Sequence, residues 1–250
     1  MLRDDLVSYL NDRLLIDTFQ DVSVNGLQVE GKTEIQKVAL AVDAALSVYE
    51  KAAAQDCDMI IAHHGMIWGG LSSVTGTVYA QLKFLLDRGI NLYAAHLPLD
   101  AHTALGNNAQ LAEAVALEDI VPFGKYHGRY LGFSGRLPEP CDAETLAKRF
   151  FDTVGGTPLV LPFGKSSIET VGIISGGGAG SLSEAAAEGI DCFVTGEGRH
   201  ENHHFALEAK LNVIYLGHYH SETLGVRAVG RELEEKFGLS CIFIDEPTLL

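Results

Sequence analysis

A chain of 250 residues with 47% hydrophobic and 20% charged side chains has an ordinary globular balance, enough for one large or two small domains, with no disordered bias. Lys and Arg number 18 against 33 Asp and Glu, and the resulting net charge of −15 repels nucleic acid and anionic membranes. No basic run offsets that field, and no apolar run approaches the roughly 20 residues of a membrane-spanning helix.

The chain opens with "MLRDDLVSYLNDRL", an amphipathic helix with acidic residues rather than a signal peptide. Short apolar runs then alternate with helical patterns. "KVALAVD" (37–43) precedes a helix in "AALSVYEKAAAQ", and "DMIIA" precedes a helix near "TVYAQLKFLLDRG", where Val78, Leu82 and Leu85 keep helical spacing and Gly89 stops the run. "NLYAA" (91–95) and a helix in "NNAQLAEAVA" come next. Near Tyr126 the texture changes: "YHGRYLGFSGRLPEP" is Gly-rich and alternating, like an antiparallel strand. Asp142 caps a helix in "AETLAKRFFDTV". "SIETVGIIS" and "DCFVTGE" flank a helix whose start, "SLSE" (181–184), has capping-box form. "LNVIYLG" (211–217), a helix over 222–237 and "SCIFID" close the chain.

This alternation predicts an α/β fold of two linked lobes with mixed, largely parallel sheets. The expected boundaries are 1–124 plus 220–250 for the first lobe and 125–219 for the second. Cys57, Cys141, Cys192 and Cys241 form no C-x-x-C, and two of them sit in apolar runs, which suits a reducing compartment and a cytoplasmic protein.

The residues just past each strand carry the chemistry. "MIIA" leads into His63 and His64, "NLYAA" into His96 and Asp100, "VIYLG" into His218 and Glu222, "CFV" into Thr195-Gly196-Glu197. In open α/β sheets ligands bind beyond the carboxyl ends of the strands. A lone strand-end histidine is usually a cap, but repetition over three strand ends points to one shared metal site. For His63 and His64 to converge, the strand must have ended, with Gly65 permitting the turn. Neutral imidazole and carboxylate suit Zn, Fe or Mn. His63, His64, Asp100, His218 and Glu222 are one donor more than a closed tetrahedral site uses, and enough for two ions sharing a carboxylate.

His96, His204 and Glu197 are candidates to orient a ligand or move a proton, whereas His102 and His220 read as surface groups. "RHENHH" (199–204) reads as the opening of an exposed helix, with at most one member reaching the site. The Gly-rich "SGGGAGS" (175–181) admits two readings, a phosphate cradle or a tight turn for close packing; it matches neither a P-loop nor G-x-G-x-x-G.

Taken together, "NGLQVEG" (25–31), "AHHG" (62–65), "HLPLDAH" with "GNNAQL" (96–111), "SGGGAG" (175–180), "TGE" (195–197) and "GHYHSE" (217–222) resemble the Nif-three-like, YbgI-type dinuclear metal-centre family, labelled type-two GTP cyclohydrolase homologues. The resemblance implies two α/β lobes, with the N- and C-terminal segments sharing one, and a ring-shaped homohexamer. It implies that His64, Asp100 and Glu222 hold one ion and His63 and His218 the other, with Glu222 bridging and His96 and His204 close by. The inserted mid-chain domain of larger members does not fit in this length, and Val22 to Val24 stand where the family usually has a Trp. The implied activity is cyclohydrolase-like, a metal-bound hydroxide opening the imidazole ring of GTP. Two alternatives stay open: a phosphoesterase or nuclease, opposed by the charge of −15, and a metal-holding scaffold without turnover.

Overall fold

The computed structural model describes residues 1–248. The chain divides into two compact units, one formed by Met1–Leu99 with Gly225–Glu246 and the other centred on Asp100–Leu224. This division differs from the boundaries read off the sequence. Residues 100–124 carry a helix and a strand whose apolar side chains, Leu111, Ala112, Val115 and Leu117, enter the core of the second unit, as does Leu224.

The first unit is built on five strands: β1 (Gly26–Val29), β2 (Lys37–Asp43), β3 (Met59–His64), β4 (Asn91–Ala94) and β11 (Ser240–Phe243). Their order is β1-β4-β3-β2-β11, parallel throughout except for the antiparallel edge β1. The central strands are buried on both faces, which is why they read as continuous apolar runs rather than alternating ones. On one face, α2 (Leu46–Ala54) and α3 (Gly76–Arg88) pack Val48, Tyr49, Ala52 and Leu85 against Ala39, Ile60 and Leu92. On β2's other side Gly230 of α10 (Thr223–Phe237) lies so close to Leu40 that a Cβ would come 2.2 Å from its Cδ1. α1 (Arg3–Leu14) is joined to α10 through Tyr9 and Arg13, which both donate to Glu232.

The second unit has six strands: β5 (Glu118–Tyr126), β6 (Arg129–Cys141), β7 (Leu159–Pro162), β8 (Ile168–Ile174), β9 (Cys192–Thr195) and β10 (Asn212–Tyr215). Their order is β5-β6-β8-β9-β10-β7. The β8-β9-β10 centre is parallel, and the flanking pairs are antiparallel. α5 (Asn107–Ala114) and α6 (Ala143–Val154) share one core with Val171, Cys192 and Ile214. α7 (Leu182–Ala187) and α8 (Asn202–Ala209) share another with Phe193 and Val213. Two single-turn helices, α4 (Leu97–Asp100) and α9 (His218–Ser221), come shortly after β4 and β10. The expected α/β architecture of two mixed, largely parallel sheets is what the chain forms.

Asp142 caps α6 as expected, accepting from Thr145 N–H at 2.8 Å. The capping box at 181–184 does not form. A 3-10 turn, Gly178–Ser181, runs directly into α7, so Ser181 (φ −88°, ψ 4°) lacks the extended backbone of a capping residue. Glu184 instead accepts the Lys125 N–H at 3.1 Å.

Each sheet is tied at the amino ends of its strands by the same wiring. In the first unit Asp58 accepts Lys32 Nζ at 2.7 Å and the N–H groups of Gln36 and Lys37 at 3.0 and 3.2 Å. Asn91 accepts Gly31 N–H and donates to the carbonyls of Lys32 and Asp58. In the second unit Asp191 accepts Lys165 Nζ at 2.6 Å and the N–H groups of Glu169 and Thr170, each at 3.1 Å. Asn212 there accepts Gly164 N–H and donates to the carbonyls of Lys165 and Asp191. Lys and Asp stand 26 residues apart in both. Strand edges that would otherwise bury unpaired backbone groups are thereby satisfied.

Candidate metal centre

The carboxyl ends of the strands carry the titratable side chains of both units. In the first unit β3 runs through His64 instead of stopping before the histidines, which corrects the sequence expectation. Pairing to β4 ends at Ala62, while pairing to β2 continues to Asp43 opposite His64. At this half-released end the two rings come to 4.6 Å between centroids. Gly65 serves packing, since a Cβ there would lie 2.2 Å from Gln28 Nε2 and 2.6 Å from the Ala94 side chain. His96, just past β4, completes a group of three imidazoles, its ring 5.2 Å from His63 and 5.5 Å from His64.

Each imidazole is turned the same way. His63 Nδ1 lies 2.9 Å from the Ala95 carbonyl, His64 Nδ1 2.8 Å from Asp43, and His96 Nδ1 3.0 Å from Asp21. A carbonyl only accepts, and so does an ionised carboxylate, so Nδ1 carries the proton in each neutral ring and Nε2 presents a lone pair. Donor atoms of the three rings lie within 4.8 Å of one another. A histidine fixed through Nδ1 by an oxygen acceptor is the usual form of a metal-binding imidazole. Burial pushes the Asp21 carboxyl up, but hydrogen bonds from His96, Asn25 and the Ser23 N–H outweigh it and hold it at about 2. Trp68 flanks the group, its ring 5.0 Å from that of His96.

In the second unit Asp100 is buried and accepts Asn107 Nδ2 at 2.9 Å and the Ser175 hydroxyl at 3.0 Å. His218, just past β10, lies between two carboxylates: its Nε2 is 3.3 Å from Glu222 and its Nδ1 is 3.3 Å from Glu197. The hydrogen bond to Glu222 outweighs burial and, with Glu197, pushes the imidazole up to about 9. A cation at this spot is what holds the carboxylates together.

The Gly-rich turn builds the seat of Glu222. At Gly176 (φ +58°) a Cβ would fall 2.0 Å from Glu222 Oε1 and 3.1 Å from His218 Nε2. The Gly176 carbonyl accepts the N–H groups of Gly196 and Glu197, both at 3.0 Å, and its own N–H donates to Ser221 Oγ. Of the two readings of "SGGGAGS", close packing is the one the turn realises.

Glu197 and His204 both line a cavity of about 710 Å³ in the second unit. His204 stands exposed in the first turn of α8, so "RHENHH" does open an exposed helix. His102 accepts the N–H groups of Ala104 and Leu105 and caps an exposed turn. His220 is no surface group: it is half-buried, with Nδ1 3.2 Å from the Val154 carbonyl and its ring where a Cβ on Gly156 would fall. Sequence reasoning missed Asp43 and Asp21. Asp43 ends a strand like the other candidates and was open to the same argument; Asp21 lies in a loop with no periodic signal.

The chain matches Duf34/NIF3 (NGG1p interacting factor 3) over residues 1–248. It belongs to the NIF3 family. Among NIF3 relatives, the "GTP cyclohydrolase 1 type 2 homolog" of Pyrococcus horikoshii is 45% identical over 249 residues, 99% of each chain. The solved structure of TTHA1606 from Thermus thermophilus is 44% identical with a TM-score of 0.93, covering 100% of both chains. That of protein ybgI is 35% identical with the same TM-score and coverage. The donors of this NIF3 chain, oriented imidazoles and buried carboxylates, fit a borderline divalent ion. No helix among its described residues is long and apolar enough to cross a membrane.

Proposed function

We propose that this NIF3 protein holds two divalent ions, Zn, Fe or Mn, and acts as a hydrolase of the cyclohydrolase type on the ring of a purine nucleotide such as GTP. His64, Asp100 and Glu222 would hold one ion and His63 and His218 the other, with Glu222 shared. The observation that carries this is the common orientation of the imidazoles, each with Nδ1 fixed by an oxygen acceptor. Bound, such ions supply Lewis acidity and lower the pKa of water. Around them the chain supplies proton transfer. His96 has its Nδ1 proton engaged by Asp21, so it takes up a proton at Nε2 while the ionised Asp21 stabilises the resulting imidazolium. Glu197 and His204, on the cavity wall, offer a second acceptor and a donor. The name borne by the relatives supports GTP as the first compound to assay.

The test is formate release and loss of the purine absorbance from GTP by protein reconstituted with Zn, Mn or Fe(II). His96→Ala is expected to lower kcat by about 10²- to 10⁴-fold with KM little changed. Absence of formate at every metal loading would defeat the hydrolase and leave a metal-holding scaffold.

We further propose a cytoplasmic, ring-shaped homohexamer. The four free cysteines, two of them buried, support a reducing compartment. Exposed Ile120, Val121, Tyr126 and Tyr130 on the β5–β6 pair offer apolar surface for self-association. Light scattering should then give six times the 26.9 kDa chain mass. A monomer at micromolar concentration would refute it.

A further inference from the structure

The cavity beside Glu197 has a make-up at odds with the rest of the chain. The protein is acidic overall, with 33 Asp and Glu against 18 Lys and Arg, yet Arg199, His200 and His203 gather around this cavity with Glu197 the one carboxylate among its lining residues. Among the described residues no carboxylate forms an ion pair with the Arg199 guanidinium. The opposite wall is apolar, made by Leu159, Leu161 and the ring of Tyr215. Leu159 is 59% exposed, a large apolar side chain left open where the cavity is the surface it faces. The loop between β9 and α8 is shaped to keep this wall: a Cβ on Gly198 would come 2.5 Å from Tyr215 Cζ and 2.8 Å from its hydroxyl, so the loop lies flat against the ring. Burial raises the Tyr215 phenol, which keeps it a neutral donor at physiological pH. A volume near 710 Å³ lies inside the about 300–1,000 Å³ range of small-molecule sites.

We infer that this cavity binds a nucleoside polyphosphate, with the base against Leu159, Leu161 and Tyr215 and the phosphates on Arg199 and the neighbouring histidines. An apolar wall facing a cationic rim matches a molecule with a flat face at one end and negative charge at the other. Guanidinium is the natural fork for a phosphate, and His200 and His203 add donors. The Gly-rich turn, whose backbone groups are taken up in seating Glu222, is replaced in this role by a side-chain site. Glu197 lies both on the cavity and 3.3 Å from His218, so a bound nucleotide would reach the candidate metal ligands of its own unit. The choice of GTP as probe rests on the cyclohydrolase reading; the site itself does not.

The experiment is calorimetric titration of the full chain, metal-free and metal-loaded, with GTP, guanosine and inorganic triphosphate, repeated on Arg199→Ala and Arg199→Lys. GTP is expected to bind at least about tenfold more weakly to Arg199→Ala, with partial recovery in Arg199→Lys, while guanosine binding and metal content stay at wild-type level. Arg199 is exposed, so these variants keep the fold. GTP affinity unaffected by Arg199→Ala, in either metal state, overturns the inference. The two readings fail separately. GTP turnover with an unchanged KM in Arg199→Ala removes this site and keeps the hydrolase. Arg199-dependent binding without formate keeps this site and removes the hydrolase.

Discussion

Glu222→Ala is expected to release both ions from a chain that otherwise holds about two, and His64→Ala to leave about one. Metal content per chain, measured on protein purified without a chelating tag, reads this directly. The graded effect comes from position. Glu222 is 3% exposed and is the carboxylate proposed to be shared, whereas His64 is proposed to serve one ion. Asp43→Ala leaves every donor in place but frees the His64 ring to rotate, so affinity at that ion should fall about 10- to 100-fold without loss of the site. Gly176→Ala tests the seat rather than the donor: a Cβ 2.0 Å from Glu222 Oε1 must displace the carboxylate, and metal loss should approach that of Glu222→Ala. Wild-type protein that takes up no Zn, Mn or Fe(II) on reconstitution would reduce the strand-end histidines to caps, and the hydrolase would fall with them.

Asp58→Ala and Asp191→Ala should each destabilise their own unit by about 2–3 kcal/mol, lowering its melting temperature by about 5–10 °C. Each carboxylate satisfies two backbone N–H groups at a strand edge, and alanine leaves both without an acceptor. The lysines contribute less, because Lys32 and Lys165 are 52% and 73% exposed. The pH dependence has a definite sign. Burial raises both carboxyls, but the lysine, the backbone N–H groups and the charge on the lysine together hold them below 3.8. A folded pKa below the unfolded one gives stability that is whole above pH 3.8 and is lost as pH falls through the folded value. Denaturant melts should therefore show the gap between wild type and each variant constant from neutrality to about pH 4 and closing below it. A gap that widens on acidification would mean the carboxylates are not the acceptors described.

The parallel centres of both sheets were legible because burial on two faces writes itself as apolar runs bounded by glycine. Short edge strands were not: β1 and β7 have four residues each, and β5 carries Pro122 and a register shift, so no period develops. The capping box misled because a backbone turn, not a side chain, starts α7. His63, His64, Asp100, His218 and Glu222 could be proposed from strand ends alone, since a parallel sheet makes the end of every strand a position on one edge. What holds them was hidden. The pairing of Asp43 with His64 depends on register between strands separated by a helix, and Asp21 reaches His96 across 75 residues. Gly176 could be marked as a turn, but that its missing Cβ makes room for a carboxylate far along the chain is a fact of packing.

The lysine–aspartate–asparagine wiring has a historical meaning. It is built twice, with the same 26-residue interval from Lys to Asp, and in each half a histidine and an acid four residues apart follow the strand that the asparagine begins, His96 and Asp100 in one, His218 and Glu222 in the other. Such agreement between otherwise dissimilar stretches is the trace of a half-length ancestor copied and joined end to end. Since then the halves have diverged in what their middle strands present, imidazoles at His63 and His64 in the first and Glu197 in the second. The ancestral unit would have carried one histidine–acid pair, half of what this chain now holds, and would have needed a second copy of itself to gather the rest.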